Sequence, residues 1–174
     1  MPASEEPAGS AAGAVPPAGG RDRIARITLE ESRGIRLSPQ IENERRVAIY
    51  DLLHENRFAL TQGGPGPYHV TLSLQGDRLA FIVASEDGDD RAEFGLAIGD
   101  IRRIIKEYFL ICDSYLNAIR TASRSRIEAI DMGRRGLHNE GAELLRDRLA
   151  PYASIDHDTA RRLFTLVVVL HIRK

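Results

Sequence analysis

Arg134, Arg135, His138 and Asn139 fall close together in the chain, and as a group they could hold an anion. Guanidiniums offer paired N–H donors that match a phosphate or carboxylate. An imidazole and an amide beside them would add a titratable group and further hydrogen bonds. The four residues lie in AIDMGRRGLHNEGAELL, where Gly133, Gly136 and Gly141 fall inside an otherwise amphipathic helical pattern. Each glycine in a helix interior costs about 0.8–1 kcal/mol relative to alanine, and three together about 3 kcal/mol. That is large against a typical total stability of about 5–15 kcal/mol. Something must offset it. Gly133, Leu137, Gly141 and Leu144 share one helix face, so the first expectation is that Gly133, Gly136 and Gly141 admit a close neighbour, namely the hydrophobic last helix. The second is that the helix breaks near Gly136 and opens an anion pocket lined by Arg134, Arg135, His138 and Asn139. The residues alone leave both open.

Elsewhere the usual reactive signatures are missing. There is no G-x-x-x-x-G-K-[ST] phosphate loop, no H-E-x-x-H and no G-x-S-x-G. The Gly/Pro stretch QGGPGP precedes a strand, and its prolines lack the N–H groups of a phosphate cradle, so it is a connector. His54, His69, His138, His157 and His171 are scattered singly, and the acidic turn EDGDD lacks calcium-loop spacing. The only cysteine, Cys112, excludes an internal disulfide, fits a reducing compartment and belongs to a predicted buried helix stripe. No metal, no cofactor and no catalytic residue is expected, and the sequence leans away from an enzyme.

The elements that would position the arginine group can be read in order. Residues 1–22 open on MPASEEPAGSAAGAVPPAGG, too poor in apolar surface to order itself, and are expected to be a disordered tail. A single domain is expected over 23–174. IARITL alternates as a half-buried strand. Ser38-Pro39 is an N-cap followed by proline at the first helical position, opening a helix to about Asn56. HVTLSLQ and RLAFIVA flank the two-residue turn Gly76-Asp77, and AEFGLAI follows. These strands predict an antiparallel meander, joined by the first strand into a sheet of about four.

From Asp100 the apolar period changes from two to 3.6. Ile101, Ile104, Ile105, Tyr108, Cys112, Tyr115 and Ile119 trace one helix face ending near Ala122. Ser125 and Glu128 form a capping box for a second helix reaching about Leu149. Asp156 or Asp158 caps a third, apolar all round near its end, which suits the centre of the packing or a subunit interface. Strands first and helices last predict an α+β fold, with an antiparallel sheet covered by helices.

Composition narrows the function classes. With 43% apolar and 28% charged residues, the chain has the balance of a soluble globular protein. It has no apolar run of spanning length, so no membrane association is expected and the cytoplasm is the expected location. Residues 1–99 carry 10 basic and 15 acidic side chains, a net of −5, and residues 100–174 carry 14 and 10, a net of +4. Neither half is polybasic. The arginines between Arg124 and Arg148 are interleaved with Glu128, Asp131, Glu140, Glu143 and Asp147, which disfavours nucleic acid as a partner.

The blocks RRIIKEYFLICDSYLNAIRTAS, RIEAIDMGRRGLHNEGAELLRDRL, DTARRLFTLVVVLH and RVAIYDLLHENRF resemble an uncharacterised bacterial protein family, number 0262 of the UPF series. The resemblance runs from about Arg23 to Ile172. It implies a single-domain cytosolic protein with no assigned activity, cofactor or catalytic residue. Three functions then compete. The first is a non-enzymatic interaction or regulatory module with an unknown protein partner or a second copy of itself, a candidate homodimer. The second is a binder of, or enzyme acting on, an anionic small molecule or nucleotide through the Arg/His/Asn group. Nucleic-acid binding ranks last.

Overall fold

The computed structural model describes residues 20–31, 36–86 and 90–172. Of the expected tail, residues 1–19 lie outside the described residues, as does the centre of the EDGDD turn at 87–89. Asp22 already takes part in the fold, its carbonyl accepting from the Phe58 N–H at 3.0 Å.

Alternation builds the sheet as the period predicts. β3 (Tyr68–Gln75) and β4 (Arg78–Ser85) pair antiparallel across Gly76-Asp77, and β4 pairs antiparallel with β5 (Arg91–Ala97). Gly76 takes φ +64° in the turn, a conformation that L side chains rarely adopt. Val70, Leu72, Leu79, Phe81, Val83 and Leu96 are buried and form the inner face. Phe94 stacks on Phe81 at 5.1 Å and on Tyr152 at 4.5 Å, carrying the aromatic contact from the sheet to the helical half.

One strand runs against expectation. β1 (Ile24–Glu30) joins the sheet beside β3, in the order β1-β3-β4-β5, but pairs parallel rather than antiparallel. The reason lies between them. α1 (Pro39–His54) makes a crossover, and a crossover returns the chain in its original direction. The fold is α+β with a mostly antiparallel sheet. A second, two-stranded sheet went unread: β2 (Phe58–Leu60) pairs antiparallel with β6 (Ala153–Ile155). Strands of three residues are too short to show a period.

Four helices complete the described residues: α1, α2 (Gly99–Thr121), α3 (Arg124–Leu149) and α4 (His157–Leu170). Ser38 caps α1 by accepting from the Ile41 N–H, and Asp156 caps α4 by accepting from the Thr159 N–H. The cap of α3 is Ser123, which accepts from the Arg126 N–H, and not Ser125. Among the described residues no helix is long and apolar enough to cross a membrane.

The apolar end of α4 is satisfied within the chain. Leu163, Phe164, Leu166, Val167, Val168 and Val169 are all buried, each worth about 1.5–3 kcal/mol on leaving water. The alternative of a subunit interface on this helix therefore loses its motive. Polar ties fix where α4 begins. Thr159, fully buried, accepts from the Arg57 N–H at 2.9 Å, and Arg162 donates to the Glu55 carbonyl at 2.8 Å. Asn56 donates to the carbonyls of Ile24 and Leu52 and accepts from the Ile24 N–H, locking the end of α1 to β1. These bonds hold α1 and α4 in a fixed relation, which sets the geometry of the cleft between them.

Candidate functional site

Arg134, Arg135, His138 and Asn139 line one cleft of about 630 Å³ between α1, α3 and α4. Three helices each give it residues from a single face. α3 gives those four. α4 gives Asp158, Arg161, Arg162 and Thr165, and α1 gives Glu44, Val47, Ala48 and Asp51. Steps of three, four and seven place side chains on one helical stripe, which is why each set points the same way. Tyr108 of α2 also lines it.

The helix does not break. α3 runs unbroken from Arg124 to Leu149, so the expected opening near Gly136 is replaced by a cleft between intact helices. The three glycines prove unlike one another. A Cβ on Gly141 would lie 2.2 Å from Cζ of Phe164, so the α4 ring occupies the space that a side chain would need. A Cβ on Gly133 would meet only the tip of Ile111 in α2, at 2.8 Å. At Gly136 nothing lies within 4 Å, and the residue is exposed. Gly136 is thus no packing glycine: it faces outward between two positions that face neighbouring helices.

Phe164, seated on Gly141, forms the apolar floor beneath His138. The His138 ring meets Phe164 edge-on at 5.1 Å and Tyr108 at 5.7 Å. Its Nε2 lies 2.8 Å from Thr165 Oγ1, and that hydroxyl donates to the Arg161 carbonyl at 3.2 Å. A hydroxyl has one proton to give. With it directed to Arg161, Nε2 must be the donor to Thr165, leaving Nδ1 with a bare lone pair. Nδ1 is buried and has no hydrogen-bond partner among the described residues. Protonating it would bury an unpaired N–H. Burial, with Arg161 and Arg134 nearby, pushes the imidazole pKa down to about 4. His138 is therefore a neutral group at physiological pH.

The guanidiniums are held in two different ways. Arg134 and Arg135 share the Asp131 carboxylate, at 2.7 and 3.0 Å, and Arg134 also lies 5.1 Å over the Tyr115 ring. The hydrogen bond from Arg134, and then its charge and that of Arg135, hold the Asp131 carboxyl below the usual carboxylate range. Two cations on one anion leave donors to spare. On α4, Arg161 forms no ion pair among the described residues, and neither do Glu44, Asp51 or Asp158. Burial, aided by Cys112 and opposed by Arg134, pushes Tyr108 up to about 12, so its hydroxyl stays protonated. Cys112 itself is half-buried rather than core, and burial raises its thiol pKa. Among the described residues, no three His, Cys, Asp or Glu side chains could hold a metal ion.

A family model described as "Uncharacterised protein family (UPF0262)" matches residues 21–173. The chain belongs to this family. A UPF0262 protein of Rhizobium etli is 51% identical over 156 residues, which are 90% of this chain and 99% of that one. Another, of Ruegeria pomeroyi, is 52% identical over 86% of this chain and 96% of its own length. One from Mesorhizobium japonicum is 54% identical over 88% and 95%. No solved structure matches the chain. The UPF0262 match takes in every residue lining the cleft.

Sequence reasoning found the α3 wall because its residues are adjacent in the chain. It missed Arg161, Arg162 and Thr165 on α4, and Glu44 and Asp51 on α1. A signal for the α1 pair was present, since two carboxylates stand seven positions apart with Val47 and Ala48 between them. Nothing local says which wall that stripe will face.

Proposed function

We propose that this protein binds a small anionic molecule in the cleft between α1, α3 and α4. One observation carries the reading: guanidiniums from α3 and α4 line the same concave surface as the His138–Thr165 pair. Arg161, with no carboxylate to satisfy it among the described residues, is the cation best placed to receive an anion. Neutral His138 supplies rigidity rather than charge, because its Nε2 proton is committed to Thr165. The role is binding, with no bond-making step assigned to any side chain. A reducing compartment, the cytosol, is part of the same reading and is supported by the unpaired Cys112 thiol.

Calorimetric titration with inorganic phosphate at neutral pH and low salt tests it. Saturable one-site binding is expected, weakened about tenfold by Arg161→Gln, since a charge-assisted hydrogen bond contributes about 1.5–3 kcal/mol. Added salt should weaken the rim contacts further. Absence of saturation, or equal affinity in the variant, refutes the site.

A second reading, self-association, is favoured by the α2–α3 hairpin. Burial in α3 is confined to Gly141, Ala142, Leu145 and Leu149, near its end. Near the turn between the helices, Leu116 is 45%, Ile119 52% and Met132 74% exposed. Sedimentation velocity should show a dimer that Leu116→Glu with Ile119→Glu converts to monomer. A wild-type monomer at the highest soluble concentration removes this reading.

A further inference from the structure

We infer that the ligand of this cleft is a zwitterion, a small molecule with one phosphate or carboxylate group and an ammonium group at its other end. The inference rests on the anion-binding reading and concerns what else the ligand must carry. A site built for a simple anion would surround it with positive charge. Here Glu44, Asp51 and Asp158 share the cleft with the arginines, and none of the three forms an ion pair among the described residues. An incoming anion would be attracted by the guanidiniums and repelled by the three carboxylates that line the same cleft. A ligand with an ammonium group turns that repulsion into attraction.

The layout supports such an orientation. The carboxylates of Glu44 and Asp51 stand on α1, while all the guanidiniums stand on α3 and α4. The two acidic positions are two turns apart, about 10 Å along the helix. They bracket Val47 and Ala48, which offer an apolar strip for the carbon chain joining the ligand's charges. Arg161 has not folded back onto any of these acids. Asp158 stands among the α4 guanidiniums, but the acids of α1 and the guanidiniums of α3 and α4 are opposite charges on different helices of one concavity, preorganised for a molecule that bridges them.

Matched pairs of probes differing only in the amine decide the matter: γ-aminobutyrate against butyrate, ε-aminocaproate against caproate, and phosphoethanolamine against ethyl phosphate. Protein-observed NMR titration should show at least one zwitterion binding about tenfold more tightly than its twin, the worth of one charge-assisted contact. In Glu44→Gln with Asp51→Asn, both at exposed positions, that preference should vanish and ethyl phosphate should bind more tightly. If every zwitterion only equals its twin while phosphate still binds through Arg161, the zwitterion inference fails and the anion reading stands. If no probe binds the wild-type protein, both fail together.

Discussion

Gly141→Ala lowers the stability of the domain by about 2 kcal/mol, whereas Gly136→Ala in the same helix raises it by about 1 kcal/mol. Propensity alone predicts a gain of about 0.8–1 kcal/mol at both positions. At Gly136 that gain is realised, since no atom lies within 4 Å of the added carbon. At Gly141 the new Cβ would stand 2.2 and 2.3 Å from Cζ and Cε2 of Phe164. The ring cannot swing away cheaply, because Phe164 is fully buried and packs edge-on against His138 and Tyr108. Overpacking of a filled core costs about 1–3 kcal/mol and occasionally more, so the clash outweighs the helical gain. Gly133→Ala falls between, near zero, because the tip of Ile111 can give way. Urea denaturation checks all three: the midpoint should fall for Gly141→Ala and rise for Gly136→Ala at constant slope. Displacing Phe164 also tilts the floor under His138, so Gly141→Ala should weaken phosphate binding where Gly136→Ala does not. A Gly141→Ala protein as stable as wild type would show that the ring relaxes freely and that the glycine has another cause.

Acidification from pH 6.5 to pH 4 removes about 3 kcal/mol of stability through His138 alone. The unfolded chain takes up a proton near the ordinary imidazole value of 6.5, while the folded chain resists until about 4. Between those values the unfolded state binds more protons, so stability falls as pH falls. Above 6.5 neither state is protonated and the full stability is present; below about 4 both are, and the loss is complete. The resistance has a structural origin in the sealed Nδ1, the rings of Phe164 and Tyr108, and the positive charges of Arg161, Arg134 and, when protonated, His157. Other groups titrate in this window, so the difference between wild type and His138→Leu is the quantity to follow. The variant starts less stable at pH 7, having lost the bond to Thr165, and its stability should decline less steeply on acidification. The two proteins should converge by about 3 kcal/mol between pH 7 and pH 4. Parallel pH profiles would mean that the imidazole is solvated and free to charge.

Most local signals in the sequence match the structure. The Ser38-Pro39 start of α1, the Gly76-Asp77 turn, the alternation of β3 to β5 and the long 3.6-residue period after Asp100 each depend on near neighbours in sequence. The misreadings share one feature, since each depended on a partner far along the chain or on a choice between near equals. Ser123 and Ser125 are both plausible caps, and it is Ser123 whose hydroxyl accepts from a first-turn N–H, that of Arg126. β2 and β6 exist only because each pairs with the other. Cys112 and Ile119 lie on the predicted apolar stripe of α2, yet Cys112 is half-buried and Ile119 is 52% exposed, so the stripe is only partly covered.

The sequence by itself determined that this chain is an α+β protein, that its last helix is the most apolar of the helices, and that Arg134, Arg135, His138 and Asn139 lie on one stretch of helix. Only the tertiary structure decided that β1 runs parallel to β3, that Gly141 receives Phe164 while Gly136 faces open space, and that α1 and α4 bring carboxylates and further guanidiniums to the same cleft. The division follows from range. Period, capping and turn geometry act over a few residues, whereas a cleft is made by side chains that meet only when packed helices place them together.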